Sequence, residues 1–361
     1  MDITVKDIYA EIDHIAPFIY QESWDNSGLQ IGSLDNKVKK VLLALDITKE
    51  AVNIAKKYKC ELVISHHPLF FKPLKTIDTR NVLLKEILNS NLTILSAHTN
   101  LDVVPDGVSF ALAKKIGILN NLKILAPLEE TKYYKVAFFI TKEAEADVLS
   151  QIFNKGIGEF HNYEKCYFTT SGLGHFKAKE NAKPYVKIEN FKENKVEFIV
   201  RKDKLFDCIN NLKQIHPYDE IAFDVFEEKI NPLDIGYGVI GELSTPKKLH
   251  QVLFLVKEAL GIEKLRFKGD LNKKIKKIAL CGGSGSSFIK HAIQSKADLY
   301  ITGDIKYHEM LENCDKITIT DVGHRASEQP VLFTLKEKLE KTFKNLELQI
   351  FIEHNDFYQY I

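Results

Sequence analysis

Two adjacent histidines end an apolar run in the segment Glu61-Leu62-Val63-Ile64-Ser65-His66-His67-Pro68-Leu69-Phe70-Phe71. Residues 62–64 have the length and composition of a buried strand, and Pro68 prevents the backbone from continuing as a paired strand or a helix. Neighbouring strand side chains point to opposite faces, so the two imidazoles converge only if the chain turns, which Pro68 favours. The segment predicts either a metal site at a strand end or two surface histidines beside a core strand.

Strands and helices alternate around this segment. The pattern predicts strands at 38–45, 62–64 and 92–96, with helices at 48–58, capped by Thr48, and at 81–89. Such alternation indicates a parallel sheet with crossovers, in which ligands gather beyond the carboxyl ends of the strands. The segment Ala97-His98-Thr99-Asn100-Leu101-Asp102 follows the third strand. We therefore expect His98 and Asp102 at the same sheet edge as His66 and His67.

The chain repeats this arrangement from residue 273 onward. Lys39-Lys40-Val41 matches Lys276-Lys277-Ile278, and 61–65 matches 298–302, at one constant offset. A strand predicted at 317–320 precedes His324 and Glu328, which have the same His-x-x-x-acid spacing as His98 and Asp102. If a helix begins near Ala326, His324 and Glu328 lie one turn apart on one face. The sequence thus predicts an α/β core of two similar halves, residues 1–126 and 240–361.

Residues 127–239 have a different pattern and predict an inserted domain. Strands are expected at 134–140, 165–170, 195–200 and 222–226, with helices at 143–154 and 203–215. The resulting order, β-α-β-β-α-β, is that of a ferredoxin-like α+β domain. The predicted fold class is therefore α/β, a bipartite core interrupted by this insert.

Composition limits the functions that need to be considered. The 361 residues are 45% hydrophobic and 27% charged with a formal net charge of +1, so no overall field favours nucleic acid or an anionic membrane. The five cysteines are scattered without a Cys-x-x-Cys pair, which argues against a disulfide framework and a thiolate zinc site. Neither a signal peptide nor a long apolar segment is apparent. We expect a cytoplasmic protein without a membrane partner and with nucleic acid disfavoured.

Five of the residues at the predicted sheet edges are nitrogen and oxygen donors that suit a divalent metal: His66, His67, Asp102, His324 and Glu328. A donor set without thiolate fits Zn, Mn, Fe, Co or Ni rather than a closed structural zinc site. Two ions per subunit are favoured over one, because five ligands divide well between two ions if a carboxylate bridges them. Zinc is the preferred metal, with Fe, Mn, Co and Ni as alternatives.

Two further histidines are candidates for catalytic roles. His98 is expected to orient Asp102 or move protons, or to act as a sixth metal ligand. His308 follows a predicted strand edge and is either a proton carrier or a plain histidine on a helix surface. The run Cys281-Gly282-Gly283-Ser284-Gly285-Ser286-Ser287 predicts either a phosphate-binding loop that opens a helix or a tight turn with a serine cap.

The motifs together resemble the GTP cyclohydrolase 1 type 2 homologue family, also called Ngg-interacting-factor-like proteins. The resemblance extends over the whole chain, and the insert is similar to the CutA/PII-like domain of the longer bacterial members. It implies a dinuclear metal site formed by the five donors above and a toroidal homohexamer whose sites face an inner cavity. The matching segments are Trp24-Asp25-Asn26-Ser27-Gly28-Leu29, Ser65-His66-His67-Pro68, 97–102, 281–285 and Gly323-His324-x-x-x-Glu328.

The family resemblance also implies an activity. The leading hypothesis is a metal-dependent hydrolase whose metal-activated water attacks a nucleotide-like substrate, such as carbon 8 of GTP, with ring opening and formate release. Glu328 would bridge the metals, and His98 or His308 would move protons. Phosphoester hydrolysis by the same metal pair is an alternative. A third hypothesis is a non-catalytic metal-binding ring or scaffold, with the insert as a partner-docking module.

Overall fold

The computed structural model describes residues 2–72, 74–78, 80–117, 119–128, 133–160, 163–228 and 235–353. The chain forms two compact units, Met1–Leu128 with Leu233–Ile361, and Glu129–Pro232. Residues 236–239, predicted from the sequence to belong to the insert, lie in a strand of the first unit. Segments 129–132 and 229–234, around the predicted domain boundaries, fall outside the described residues.

Strands of the described chain are numbered in sequence order. They are β1 (Gly28–Ile31), β2 (Lys40–Ala44), β3 (Leu62–Ser65), β4 (Thr93–Ser96), β5 (Leu119–Pro127), β6 (Tyr133–Ile140), β7 (Tyr167–His175), β8 (Asn190–Arg201), β9 (Phe223–Glu228), β10 (Gly236–Lys248), β11 (Arg266–Lys268), β12 (Lys274–Ser284), β13 (Leu299–Gly303), β14 (Thr318–Asp321) and β15 (Glu347–Ile350).

The α-helices are numbered in the same way. They are α1 (Val5–Ile15), α2 (Lys49–Tyr58), α3 (Val82–Asn89), α4 (Thr99–Asp102), α5 (Val108–Ile116), α6 (Lys142–Phe153), α7 (Leu205–Ile215), α8 (Leu249–Leu260), α9 (Ile289–Gln294), α10 (Tyr307–Asn313), α11 (His324–Glu328) and α12 (Pro330–Thr342). None of the helices in the described parts of the chain has the length and hydropathy needed to cross a bilayer.

The first unit contains two sheets with related centres. One sheet has the order β1-β4-β3-β2-β15, and the other has the order β11-β14-β13-β12-β10-β5. Strands β2, β3 and β4 are parallel, as are β12, β13 and β14, and each set ends on an antiparallel edge strand, β1 or β11. The mixed α/β class predicted from the sequence is confirmed, and the two parallel centres coincide with the repeat seen in the sequence.

Local sequence explains why these strands are central. Every residue of β3 and of β4 is buried, as expected of parallel strands that are covered on both faces. Helix α2 covers one face with Ala51, Val52 and Ala55, begins at the Thr48 cap, and ends where Lys59 adopts a left-handed conformation. Burial of this apolar stripe fixes the helix against the sheet. The carboxyl ends of β2, β3 and β4 lie at one edge because these strands are parallel.

The second unit is a four-stranded antiparallel sheet with two helices. The sheet order is β7-β8-β6-β9, with β6 between β8 and β9. Alternate residues of β6 and β8, such as Phe138 and Phe198, are buried together with Leu149 and Ile152 of α6 and Leu212 of α7. Every second side chain of the strands points to the helices, and helix residues one turn apart point back to the strands, so together these side chains form one core.

Candidate metal centre

His66 stands immediately after β3 with its ring fully enclosed. Its backbone N–H donates to the carbonyl of Ala44, which continues the pairing of β3 with β2 beyond the strand end. The ring Nδ1 lies 2.9 Å from the carbonyl oxygen of Ala97, so Nδ1 carries the proton and donates it. Burial lowers the pKa of His66. A neutral imidazole with a free lone pair on Nε2 results, which is the form that binds a metal.

His67 and His324 come from opposite halves of the sequence and meet at their Nε2 atoms, 3.4 Å apart. Each ring is oriented by a carboxylate on Nδ1, at 2.9 Å from Asp46 for His67 and at 2.7 Å from Asp304 for His324. Burial disfavours the charged imidazole, but Asp46 and Glu328 outweigh it and raise the pKa of His67 to about 10. Burial is likewise outweighed by Glu328 and Asp304, which raise the pKa of His324 to about 9.

Glu328, at the end of α11, lies among three histidine rings. Its Oε1 is 3.0 Å from Nε2 of His324 and 3.8 Å from Nε2 of His66, and its Oε2 is 3.2 Å from Nε2 of His67. Burial raises the pKa of Glu328, but His66 and the other two histidines lower it well below its usual range. The carboxylate is therefore negatively charged in a buried position, where it needs positive charge nearby.

His98 and Asp102 complete the centre. The Nδ1 of His98 lies 2.9 Å from Asp25, so its Nε2 faces away from that carboxylate. Donor atoms of His66, His67 and His98 all lie within 4.8 Å of one another. Asp102, in α4, places Oδ1 3.6 Å from Nε2 of His66. Two overlapping groups of donors therefore share one location, since His67, His324 and Glu328 also lie within 4.8 Å of one another.

These residues fit a divalent metal. In the described part of the chain, Nε2 of His66 is a buried polar atom without a hydrogen-bond partner, which is costly unless something else binds it. Histidine nitrogens and carboxylate oxygens are the ligands preferred by zinc and neighbouring transition metals. The Nδ1 atom of each histidine ring contacts a carboxylate or a backbone carbonyl, so that Nε2 is directed toward the other donors. The arrangement can therefore hold positive ions and the groups that they polarise.

The structure brings together most of the site residues predicted from the sequence. Those found at one location are His66, His67, His98, Asp102, His324 and Glu328. His308 is exposed on α10 with its ring against Tyr307, and it belongs to neither donor group of the described residues. The predicted helix at Ala326 begins two residues earlier, at His324.

Sequence reasoning gave no role to the three carboxylates that orient the histidines, Asp25, Asp46 and Asp304. A signal was present for two of them, because Asp46 and Asp304 closely follow β2 and β13 and so lie at the carboxyl ends of parallel strands. Asp25 lies in a loop and accepts hydrogen bonds from Thr99 and Ser27 as well as pairing with His98. Only the folded chain identifies its partner.

The glycine-rich run also differs from the predicted helix-opening loop. Strand β12 continues through Ser284, and a 3-10 turn, Ser286–Phe288, separates it from the short helix α9. The amides of Gly283 and Gly285 donate to the hydroxyls of Ser327 and Thr302, each at 2.9 Å. Those two amides are therefore engaged within the protein, and the tight-turn alternative describes them better than a phosphate loop.

Fold and donor set together define an α/β protein with a candidate metal centre at the carboxyl ends of its strands. The family model for Duf34/NIF3 (NGG1p interacting factor 3) matches residues 3–356. The chain belongs to this family, as the sequence motifs predicted.

Individual relatives match over all or nearly all of their length. The protein named GTP cyclohydrolase 1 type 2 homolog of Staphylococcus aureus strain MSSA476 is 36% identical, and the match covers 99% of this chain and 100% of the relative. The protein of the same name from Staphylococcus epidermidis strain ATCC 35984 is 34% identical, and the match covers 96% of this chain and 95% of the relative. A Bacillus cereus protein related to NIF3 has a crystal structure that superposes with a TM-score of 0.78 at 31% identity, over 100% of both chains. The crystal structure of Staphylococcus aureus protein SA1388 superposes with a TM-score of 0.75 at 32% identity, and the match covers 100% of this chain and 99% of that one.

Proposed function

We propose that the protein is a dinuclear-metal-dependent hydrolase that acts on a nucleotide-like substrate, in the manner suggested by relatives named GTP cyclohydrolase 1 type 2 homolog. The observation that most supports this is the position of Glu328, whose two oxygens face different histidines, Oε1 at 3.0 Å from His324 and Oε2 at 3.2 Å from His67. A carboxylate shared by two cations needs such separate environments for its oxygens.

The ions would be held by the five donors proposed from the sequence, His66, His67, Asp102, His324 and Glu328. Zinc is the preferred metal, and Fe, Mn, Co or Ni are alternatives for the same donors. When bound, two such cations act as Lewis acids and make water acidic enough to react near neutral pH. The His66 ring is held in place by its Nδ1 hydrogen bond to the carbonyl of Ala97, and the Glu328 side chain is held by burial, so both would bind with little rearrangement.

His98 is the proposed proton carrier. Its Nδ1 contacts a carboxylate oxygen of Asp25. Burial raises the pKa of Asp25, but the hydrogen bonds from His98, Thr99 and Ser27 outweigh burial and hold this pKa well below its usual range. Asp25 thus stays ionised and stabilises His98 when Nε2 accepts a proton from a reacting group. His308 is a second proposed carrier, and its exposure lets it exchange protons with solvent.

We also propose a cytoplasmic toroidal homohexamer with the second unit as a ferredoxin-like, PII/CutA-like domain. The order β7-β8-β6-β9 around two helices supports the domain assignment, because it is the strand arrangement expected of a β-α-β-β-α-β unit. Size determination in solution tests the hexamer.

The test is to incubate zinc-loaded protein with GTP and to measure formate and inorganic phosphate. Formate released in a one-to-one ratio with GTP consumed supports cyclohydrolase-type ring opening. Phosphate without formate supports phosphoester hydrolysis instead, and no turnover by a fully metallated sample supports a non-catalytic metal-binding ring. His98→Gln is expected to lower turnover by about 100-fold, within the usual contribution of one acid–base group. His250→Gln, which changes an exposed histidine on α8, is the matched control.

A further inference from the structure

Two large aromatic side chains stand exposed beside the metal centre. The rings of Trp24 and Phe71 are 59% and 51% exposed. Each ring centroid lies 5.8 Å from that of His98, and the ring planes make angles of 75° and 88° with the imidazole plane. Single exposed aromatics are ordinary on protein surfaces. Two that converge on the same buried histidine form a defined feature, which we call the aromatic rim.

The backbone under the aromatic rim is tied down by hydrogen bonds. Asn26 donates through Nδ2 to the carbonyl of Phe70 at 2.6 Å, so it links the loop of Trp24 to the loop of Phe71. Gln30 donates to the carbonyl of Asn26 at 2.6 Å. Next to Trp24, Asp25 accepts the hydrogen bonds described above. The backbone that carries the two exposed rings is thus restrained by hydrogen bonds, which lowers the entropy cost of binding.

The rim directly adjoins the metal-ligating side chains. The His98 ring lies 5.2 Å from the His66 ring and 5.4 Å from the His67 ring, measured between centroids. A flat group stacked on Trp24 or Phe71 is therefore one imidazole away from the donors. Lys72 follows Phe71 in sequence and is exposed, so a positive charge lies on the same loop.

We propose that Trp24 and Phe71 are binding residues that receive the planar heteroaromatic ring of a nucleotide-like substrate and place it against the metal centre. Exposed aromatic faces stack on any nucleobase, and the neighbouring lysine complements an attached phosphate. The inference rests on the proposed function and adds which residues recognise the ring. A second copy of the chain covering the rim is the competing occupant, and the experiment distinguishes it.

Trp24 is the single tryptophan of the chain, so its fluorescence reports on the rim alone. Zinc-loaded full-length protein is titrated with GTP, and in parallel with inorganic tripolyphosphate, which has the phosphates without the ring. GTP is expected to change the emission of Trp24, and tripolyphosphate is not. No change with GTP, or equal changes with both probes, overturns the proposal.

Calorimetric titration with GTP then measures the contribution of each ring. Phe71→Leu and Trp24→Leu are each expected to weaken binding about tenfold or more, as loss of one stacking partner does, whereas Trp24→Phe restores most of it. Phe254→Leu, at an exposed position on α8, is the matched control and is expected to bind as wild type. Wild-type affinity in both leucine variants contradicts a role in ring recognition.

The outcomes distinguish failure of the hydrolase proposal from failure of the aromatic-rim proposal. If Trp24 senses GTP but metallated protein turns over no nucleotide, the rim assignment stands and the hydrolase proposal fails. If Phe71→Leu and Trp24→Leu leave both the affinity for GTP and kcat/KM at wild-type values, the rim assignment fails alone. If wild-type Trp24 is shielded from acrylamide and Trp24→Leu changes the oligomeric state, a second copy occupies the rim and the proposal is overturned.

Discussion

Glu328 is the residue on which the candidate metal centre depends most. It is 4% exposed and contacts histidines from both halves of the sequence. If it only formed a buried ion pair with the histidines, its replacement would cost about 3–5 kcal/mol of stability but would leave the metal content unchanged. A buried carboxylate shared by two cations would behave differently, because its charge acts on both.

We therefore expect Glu328→Gln to lower metal content. Glutamine keeps the shape of the side chain but loses the negative charge. Glu328→Gln should therefore weaken binding of the second ion more than replacement of a terminal ligand such as Asp102 does. Elemental analysis of identically purified wild type, Glu328→Gln and Asp102→Asn measures this as metal per subunit. An unchanged ratio and unchanged affinity in Glu328→Gln would remove the residue from the site.

His216 makes the stability of the second unit depend on pH. Its Nε2–H donates to the carbonyl of Phe139 at 3.0 Å, while its Nδ1 accepts from the N–H of Tyr218 at 3.2 Å. Only the neutral ring can make both bonds, since the cation has no acceptor. Burial, opposed in part by the Phe139 carbonyl, lowers the pKa of His216 below 6.5.

Stability of the second unit should consequently fall in acid. Above pH 6.5 the ring is neutral in both folded and unfolded chains, and its contribution is fully present. As pH falls below that value the unfolded chain binds the proton first, so unfolding becomes easier by up to about 1.4 kcal/mol per pH unit until the folded pKa is reached. Thermal unfolding of wild type and His216→Gln between pH 7.5 and 5 checks this. Equal acid sensitivity in both proteins would contradict it.

At the scale of elements, the end of β12 shapes the metal centre. Gly283 has a φ of +64°, and a Cβ at this position would lie 2.2 Å from Oε1 of Glu328. The strand end approaches the carboxylate so closely that no larger residue fits without moving it. A glycine in the chain is thus required by the position of a ligand on a different element, α11.

Gly283→Ala should reduce metal content by displacing Glu328. The left-handed backbone adds about 1 kcal/mol of strain, so stability should fall only modestly. Gly261→Ala is the matched control, because Gly261 has a φ of +66° and no atom of the described residues lies within 4 Å of the added Cβ. The control should lose similar stability and keep its metal. Equal metal per subunit in both variants would show that Gly283 does not shape the site.

At the scale of the whole molecule, the two ends of the first unit are interleaved. Strand β15, near the carboxyl terminus, pairs in parallel with β2, whereas β5 pairs with β10 in the other sheet. Each sheet therefore contains strands from both sides of the second unit in sequence. Neither half completes its sheet alone, which is why His67 and His324 can meet although they are distant in sequence.

Removal of the second unit should leave the metal centre intact. Pro127 of β5 is paired with Gly236 of β10, so the cut ends are neighbours on adjacent strands, and a hairpin linker of about four residues can join them. We expect a variant lacking 129–232 to bind as much metal per subunit as wild type by elemental analysis. A soluble, folded variant without metal would show that the centre depends on the second unit.

The sequence by itself determined the local elements and the donor residues at their ends. Apolar runs with helical or strand period predicted most elements of the two parallel centres, and His66, His67 and His324 stood out because they follow such runs. These signals are local, since periodicity and capping depend on neighbouring residues. The edge strands β1, β11 and β15 were missed, because most of their residues are exposed or half-buried and they lack the continuous apolar run of β3 and β4.

Only the tertiary structure decided which elements pair and which groups orient the ligands. The pairing of β15 with β2 joins residues from opposite ends of the chain, and no local pattern specifies a partner strand. Asp46 and Asp304 orient His67 and His324 because the strand ends lie side by side. The charge of Glu328 likewise depends on three rings brought to it by different strands and helices. Hydrogen bonds and burial act through space, so they are defined only when the chain has folded.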